Sequence, residues 1–227
     1  MSSIIRRRVA SLSAIGLLCL LAACASAPRT VEKLQVSAAG EALPEGAFVF
    51  ANFGADRLEK TATGGKINPI VYSATSQGVG MLQEGYKVEG KTVRVTYAID
   101  EDSGDWAGVG VHILQPREKT VPLPKMRKLR IELAAEKPVK LKLRLVGADV
   151  AARNAGNYPE TELAVTPELK AYTLPLSFFE PPEYAGSAGK TVEQALENVY
   201  AMEVQYQTPL APRAEGWFRV GTVAFLP

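Results

Sequence analysis

From Val139 to Leu145 apolar and basic residues take strict turns: Val139, Leu141, Leu143 and Leu145 are apolar, and Lys140, Lys142 and Arg144 stand between them. A helix would scatter these side chains around its circumference. An extended strand sends successive side chains to opposite faces, so this run makes a strand with one dry face and one wet face. The same period of two runs through Val93, Val95, Tyr97 and Ile99, and again through Leu129, Ile131 and Leu133. Shorter stretches of the same kind predict further strands at Phe48 to Phe53, Ile70 to Ala74, Gly78 to Leu82, Ala107 to Leu114, Ala171 to Pro175, Tyr200 to Tyr206 and Trp217 to Phe225. Pro122, Pro124, Pro138, Pro159, Pro167, Pro175, Pro181 and Pro182 interrupt any long helix. Only Val192 to Asn198 reads as helical, with Thr191 placed to cap it. About ten short strands in one domain predict an all-β antiparallel β-sandwich of jelly-roll type with at most one short helix.

The start of the chain carries different information. Arg6, Arg7 and Arg8 precede an uncharged apolar run from Val9 to Ala23, shorter than the roughly 20 residues a membrane-spanning helix needs and laid out as a secretory signal. Leu21-Ala22-Ala23-Cys24 resembles the lipobox of bacterial lipoproteins. That resemblance implies cleavage before Cys24, acylation of Cys24 and a membrane partner reached through the lipid. With Ala25 next to the anchor, it further implies an outer-membrane lipoprotein facing the periplasm of a Gram-negative cell. Several acyl chains anchor stably, at about 0.8 kcal/mol per buried methylene. Cys19 leaves with residues 1–23, so no thiol remains for a disulfide, a nucleophile or a thiolate metal site. The signal also takes three of the 26 basic residues, leaving 23 against 24 acidic ones, and that balance gives no reason to expect nucleic acid as a partner. Residues 24–46, rich in Ala, Ser, Pro and Gly, read as a linker, and residues 47–227 as the folded domain.

Several features appear in a particular order. A strand GKTVRVTY leads into an acidic turn and Trp106-Ala107-Gly108, then LRIEL and LKLRL, then TPELKAYTLPLSFF, a short helix, AMEVQY and a last strand ending in VAF. This order resembles the galactose-binding-like jelly rolls, in particular the complex I intermediate-associated protein 30 family and the family 11 carbohydrate-binding modules. The resemblance implies a sugar or protein partner on the concave face of one sheet. Many such domains carry a structural calcium, but this chain has FVFANFG and FRVGTVAF where members often have carboxylates, so it departs from the resemblance at the positions that often supply ligands for calcium.

Motifs that suggest chemistry fail on detail. Asp100, Glu101, Asp102 and Asp105 lack the spacing of a calcium loop. Gly108-Val109-Gly110 has Ile113 where a dinucleotide loop needs a third glycine, and Gly78-Val79-Gly80 has Gln83 there. His112 is the only histidine, so a three-histidine zinc site is impossible, and no G-x-S-x-G elbow is present. No cofactor, metal site or catalytic residue is therefore expected. Alternation instead puts His112 and Trp106 on the face opposite Val109, Val111 and Ile113. Arg94, Arg130, Lys142, Arg144, Glu203 and Gln205 are the polar residues expected to line a sheet face. The candidate ligand-binding set is Trp106, His112, Arg94, Arg144, Glu203 and Gln205, with Asn157 and Tyr158 from the long loop Gly147 to Leu163, where Arg153 and Asn154 also lie. The functional expectation is a non-catalytic carbohydrate-binding domain. The alternatives are an envelope protein-interaction or assembly factor using the same face, and a hydrolase with a buried carboxylate pair.

Overall fold

The computed structural model describes residues 32–53, 67–73, 86–99, 107–114, 120–208 and 214–227. They form two antiparallel sheets that face each other as a sandwich. The strands are β1 (Gln35–Ala38), β2 (Phe48–Ala51), β3 (Ile67–Ser73), β4 (Tyr86–Glu89), β5 (Thr92–Ile99), β6 (Ala107–Leu114), β7 (Lys128–Ala135), β8 (Val139–Gly147), β9 (Glu160–Val165), β10 (Lys170–Pro175), β11 (Val199–Thr208) and β12 (Ala214–Leu226). The larger sheet has the order β1-β10-β7-β12-β5-β4, with β2 also paired to β12; the smaller has the order β3-β6-β11-β8-β9.

Alternation decides what each strand buries. Leu141, Leu143 and Leu145 of β8, Val109, Val111 and Ile113 of β6, and Val204 of β11 point between the sheets and are essentially inaccessible to water. Leu129, Ile131 and Leu133 of β7, with Phe218, Val220 and Phe225 of β12, meet them from the larger sheet. Burying each such side chain favours folding by about 1.5–3 kcal/mol, so this shared layer is what holds the sheets together.

The differences from the sequence reading have local causes. Gln35–Ala38 lies in the stretch read as linker, yet it pairs with β10 as an edge strand; its side chains are mostly exposed, so main-chain hydrogen bonds hold it and no apolar pattern announces it. The Gly147 to Leu163 loop contains structure of its own, a short helix α1 (Val150–Asn154) and β9. Asp149 caps α1 by accepting from the amides of Ala151 and Ala152. The helix expected from Val192 is present as α2 (Val192–Glu197), with a capping box between Thr191 and Gln194. There are thus two short α-helices where at most one is expected, together with 3-10 turns at Leu176–Phe178 and Glu183–Ala188. The strand expected at Gly78 to Leu82 and the acidic turn at residues 100–105 lie outside the described residues. Among the described residues no helix is long and apolar enough to cross a membrane.

Candidate functional site

The smaller sheet turns its polar face away from the core, and cross-strand register aligns that face into a row. His112 of β6 stands opposite Glu203 of β11, Glu203 opposite Arg144 of β8, and Arg144 opposite Glu160 of β9. Imidazole, carboxylate, guanidinium and carboxylate therefore follow one another across four adjacent strands. His112 Nε2 donates to Glu203 Oε1. Arg144 Nη1 donates to Glu203 Oε2 at 3.2 Å, and its Nε donates to Glu160 Oε2 at 3.0 Å. In the next row Gln205 Nε2 donates to Glu203 Oε2 at 2.6 Å, and Lys142 Nζ reaches Glu160 Oε1 at 2.6 Å.

Glu203 is 5% exposed, although it lies on the outward face. Burial alone would raise its pKa, but the hydrogen bond from His112 and the charge of Arg144 outweigh that and hold the carboxyl below its ordinary value. Gln205 is buried as well, and it can lie so flat because β6 offers Gly110 opposite it. A Cβ at Gly110 would stand 2.8 Å from the Gln205 Cα.

Two segments wall the row into a groove of about 760 Å³, lined by His112, Lys142, Arg144, Arg153, Tyr184 and Glu203 among others. One wall is the end of α1, from Arg153 to Gly156. Gly156 adopts φ +69°, a left-handed conformation suited to glycine at a helix end, and a Cβ there would come within 3.0 Å of the Tyr184 hydroxyl. The other wall is the 3-10 turn that carries Tyr184. Its hydroxyl accepts from Arg144 Nη2 at 3.1 Å and donates to the Gly156 carbonyl at 2.8 Å, so both walls are tied to the central guanidinium. The residue is nonetheless 65% exposed, so its ring is available at the rim.

His112, Arg144, Glu203 and Gln205 of the candidate set come together here. Arg94 does not. It stands on β5 in the larger sheet, opposite Arg219, and its guanidinium lies 5.0 Å from the Trp217 ring centroid and 3.7 Å from Glu89. Arg130 is also on the larger sheet, beside Glu41. The expectation of one face shared by these arginines and Arg144 is therefore corrected: alternation reports which side of a strand a residue takes, not which sheet the strand joins. Tyr158 is corrected too. Its ring is 3% exposed, packs where a Cβ on Gly147 would collide with it, and its hydroxyl accepts from the Asp149 amide at 3.0 Å. Asn157 lies beside the groove and joins its walls through the main chain, donating to the Ala152 carbonyl and accepting from the Lys190 amide, each at 2.8 Å. Trp106 and Cys24 lie outside the described residues. Sequence reasoning missed Glu160 in the row. Thr161, Leu163 and Val165 alternate with Glu160, Glu162 and Ala164, a signal short enough to be lost in a stretch read as loop.

Chemically the row is a set of fixed donors and acceptors. Among the described residues no three His, Cys, Asp or Glu side chains gather as a metal site would. Glu203 and Glu160 do form a carboxylate pair in a cleft, but both are engaged by Arg144.

The class defined here is an antiparallel β-sandwich with a polar groove on the outer face of its smaller sheet. Among solved structures the chain is similar to a family 11 carbohydrate-binding module from a cellulosomal cellulase of Clostridium thermocellum, at 13% identity over 87% of this chain and 89% of that one, with a TM-score of 0.41. It is also similar to a family 29 carbohydrate-binding module, at 10% identity over 86% and 89%, TM-score 0.41. No protein-family model matches the chain, and no curated protein does.

Proposed function

We propose that this chain is a lipid-anchored, periplasm-facing binding domain without catalytic activity, which holds a saccharide in the groove of the smaller sheet. The observation that carries the reading is the groove itself, with its row of mutually fixed polar groups and an exposed tyrosine at the rim. Donors and acceptors held by one another lose little freedom when a ligand arrives, which favours binding of a hydroxyl-rich molecule. Tyr184 supplies an aromatic face against which the apolar side of a sugar ring can stack. A protein partner on the same face would be better served by a flat apolar patch with a polar rim than by a polar concavity.

The hydrolase alternative requires one carboxyl kept protonated near neutral pH as a general acid. Glu203 is pushed the other way, and Arg144 bridges it to Glu160. The lipid anchor follows from the Cys24 motif.

The full chain, purified in detergent, is expected to retain oligosaccharides in affinity electrophoresis. Tyr184→Ala should weaken binding about five- to tenfold, the worth of one aromatic stacking contact. Failure of the wild type to bind any neutral or acidic oligosaccharide would reject the reading. For the anchor, palmitate should label the wild type and not Cys24→Ala.

A further inference from the structure

Among the described residues the groove is lined by three permanently basic side chains, and they are not equivalent. Lys142 and Arg144 are engaged by Glu160 and Glu203, so two cations face two carboxylates and their charges cancel. Arg153 has no such partner among the described residues. Its guanidinium lies over the ring of Tyr200, 4.1 Å from the centroid, at the groove wall formed by the end of α1. The carboxylate one helical turn away, Asp149, caps its own helix and pairs with Lys190 Nζ at 3.0 Å.

A guanidinium held by its face against an aromatic ring keeps its in-plane N–H donors at its edge, in the fork that matches an oxyanion. The aromatic contact fixes the group without neutralising it. Counted over Lys142, Arg144, Arg153, Glu160 and Glu203 among the described residues, the permanent charges leave one positive unit in excess, at a defined place on the groove wall.

We infer that the ligand is an acidic saccharide whose oxyanion, a carboxylate or a phosphate, is held by Arg153 while its hydroxyls face the row from His112 to Glu160. This inference rests on the reading of the groove as a saccharide site. A neutral sugar would leave the Arg153 fork facing water, whereas an acidic one satisfies it with a charge-assisted pair of hydrogen bonds.

The test is calorimetric titration of the full chain in detergent with tetragalacturonic acid, its neutral methyl ester, cellotetraose and inorganic phosphate, repeated with Arg153→Gln and Arg153→Lys after circular dichroism shows each variant folded. The wild type should bind tetragalacturonic acid in preference to both neutral tetrasaccharides, and more weakly as salt rises. Arg153→Gln should weaken the acidic ligand about ten- to hundredfold and the neutral ligands far less, with Arg153→Lys in between. Equal binding of acidic and neutral sugars, or an acidic affinity untouched in Arg153→Gln, overturns the inference while the saccharide site stands. Binding of phosphate as tight as that of the acidic sugar assigns the fork to a free anion and also overturns it. No binding of any saccharide removes both readings together. Should Arg153→Gln not fold, Arg153→Lys and the salt series decide by the same criteria.

Discussion

Glu203 shows how one residue can couple the groove to the stability of the sheet. Its carboxylate accepts from three strands at once, through His112, Arg144 and Gln205. Because its pKa lies below the unfolded value near 4.3, the folded state gains from the ionised form above that pH. The gain is lost as pH falls through the lower, folded value. Urea unfolding of the wild type and of Glu203→Gln should therefore show a stability gap at pH 5 that narrows toward pH 3. A gap of constant size across that interval would show that the charge of Glu203 contributes nothing. The partners of Glu203 were legible in part, since alternation puts His112, Arg144, Glu203 and Gln205 each on the polar side of its strand. That Tyr158 would be buried was not legible, because the socket is made by the missing side chain of Gly147, a residue in another element.

Among the elements, β12 carries the most unusual geometry. It runs thirteen residues, pairs with β5 through its first half and β2 through its second, and shifts register against β7 between Val220 and Val223. At that irregularity the Thr222 amide is taken up by Glu132 Oε2 at 3.0 Å, while Glu132 Oε1 accepts from the Gly40 amide at 2.7 Å. A Cβ at Gly221 would stand 2.9 Å from the Glu132 Cβ, so the glycine makes room for this arrangement. Glu132→Ala leaves both amides without their acceptor and should cost about 1–3 kcal/mol in urea unfolding. A loss under about 0.5 kcal/mol would mean that water replaces the carboxylate. The strands β5 and β8 were readable because each buries one face and so alternates over several residues, whereas β7 is buried on both faces and shows its period only because Arg130 and Glu132 stand between Leu129, Ile131 and Leu133. By contrast, β1 and β9 are short, and β1 owes its place to main-chain pairing, which leaves no trace in side-chain order.

At the level of the whole molecule, the two-layer sandwich could be inferred from the number of alternating strands, but strand order could not. The order decides that Arg94 and Arg144, both on polar faces, belong to different sheets and cannot act on one ligand. It also sets a timetable. Phe225 pairs with Phe48, and Val220 with both Val93 and Leu133, so the centre of the larger sheet is assembled from residues far apart in the chain. Such pairing is slow, and refolding followed by the fluorescence of Trp217, which sits in β12, should take milliseconds to seconds. A microsecond phase carrying the full amplitude would contradict it. Before β12 exists, β5 and β7 have no strand between them, and the larger sheet is two separate pieces with open edges. The larger sheet thus keeps two open edges until the last strand, starting at Ala214, has been made.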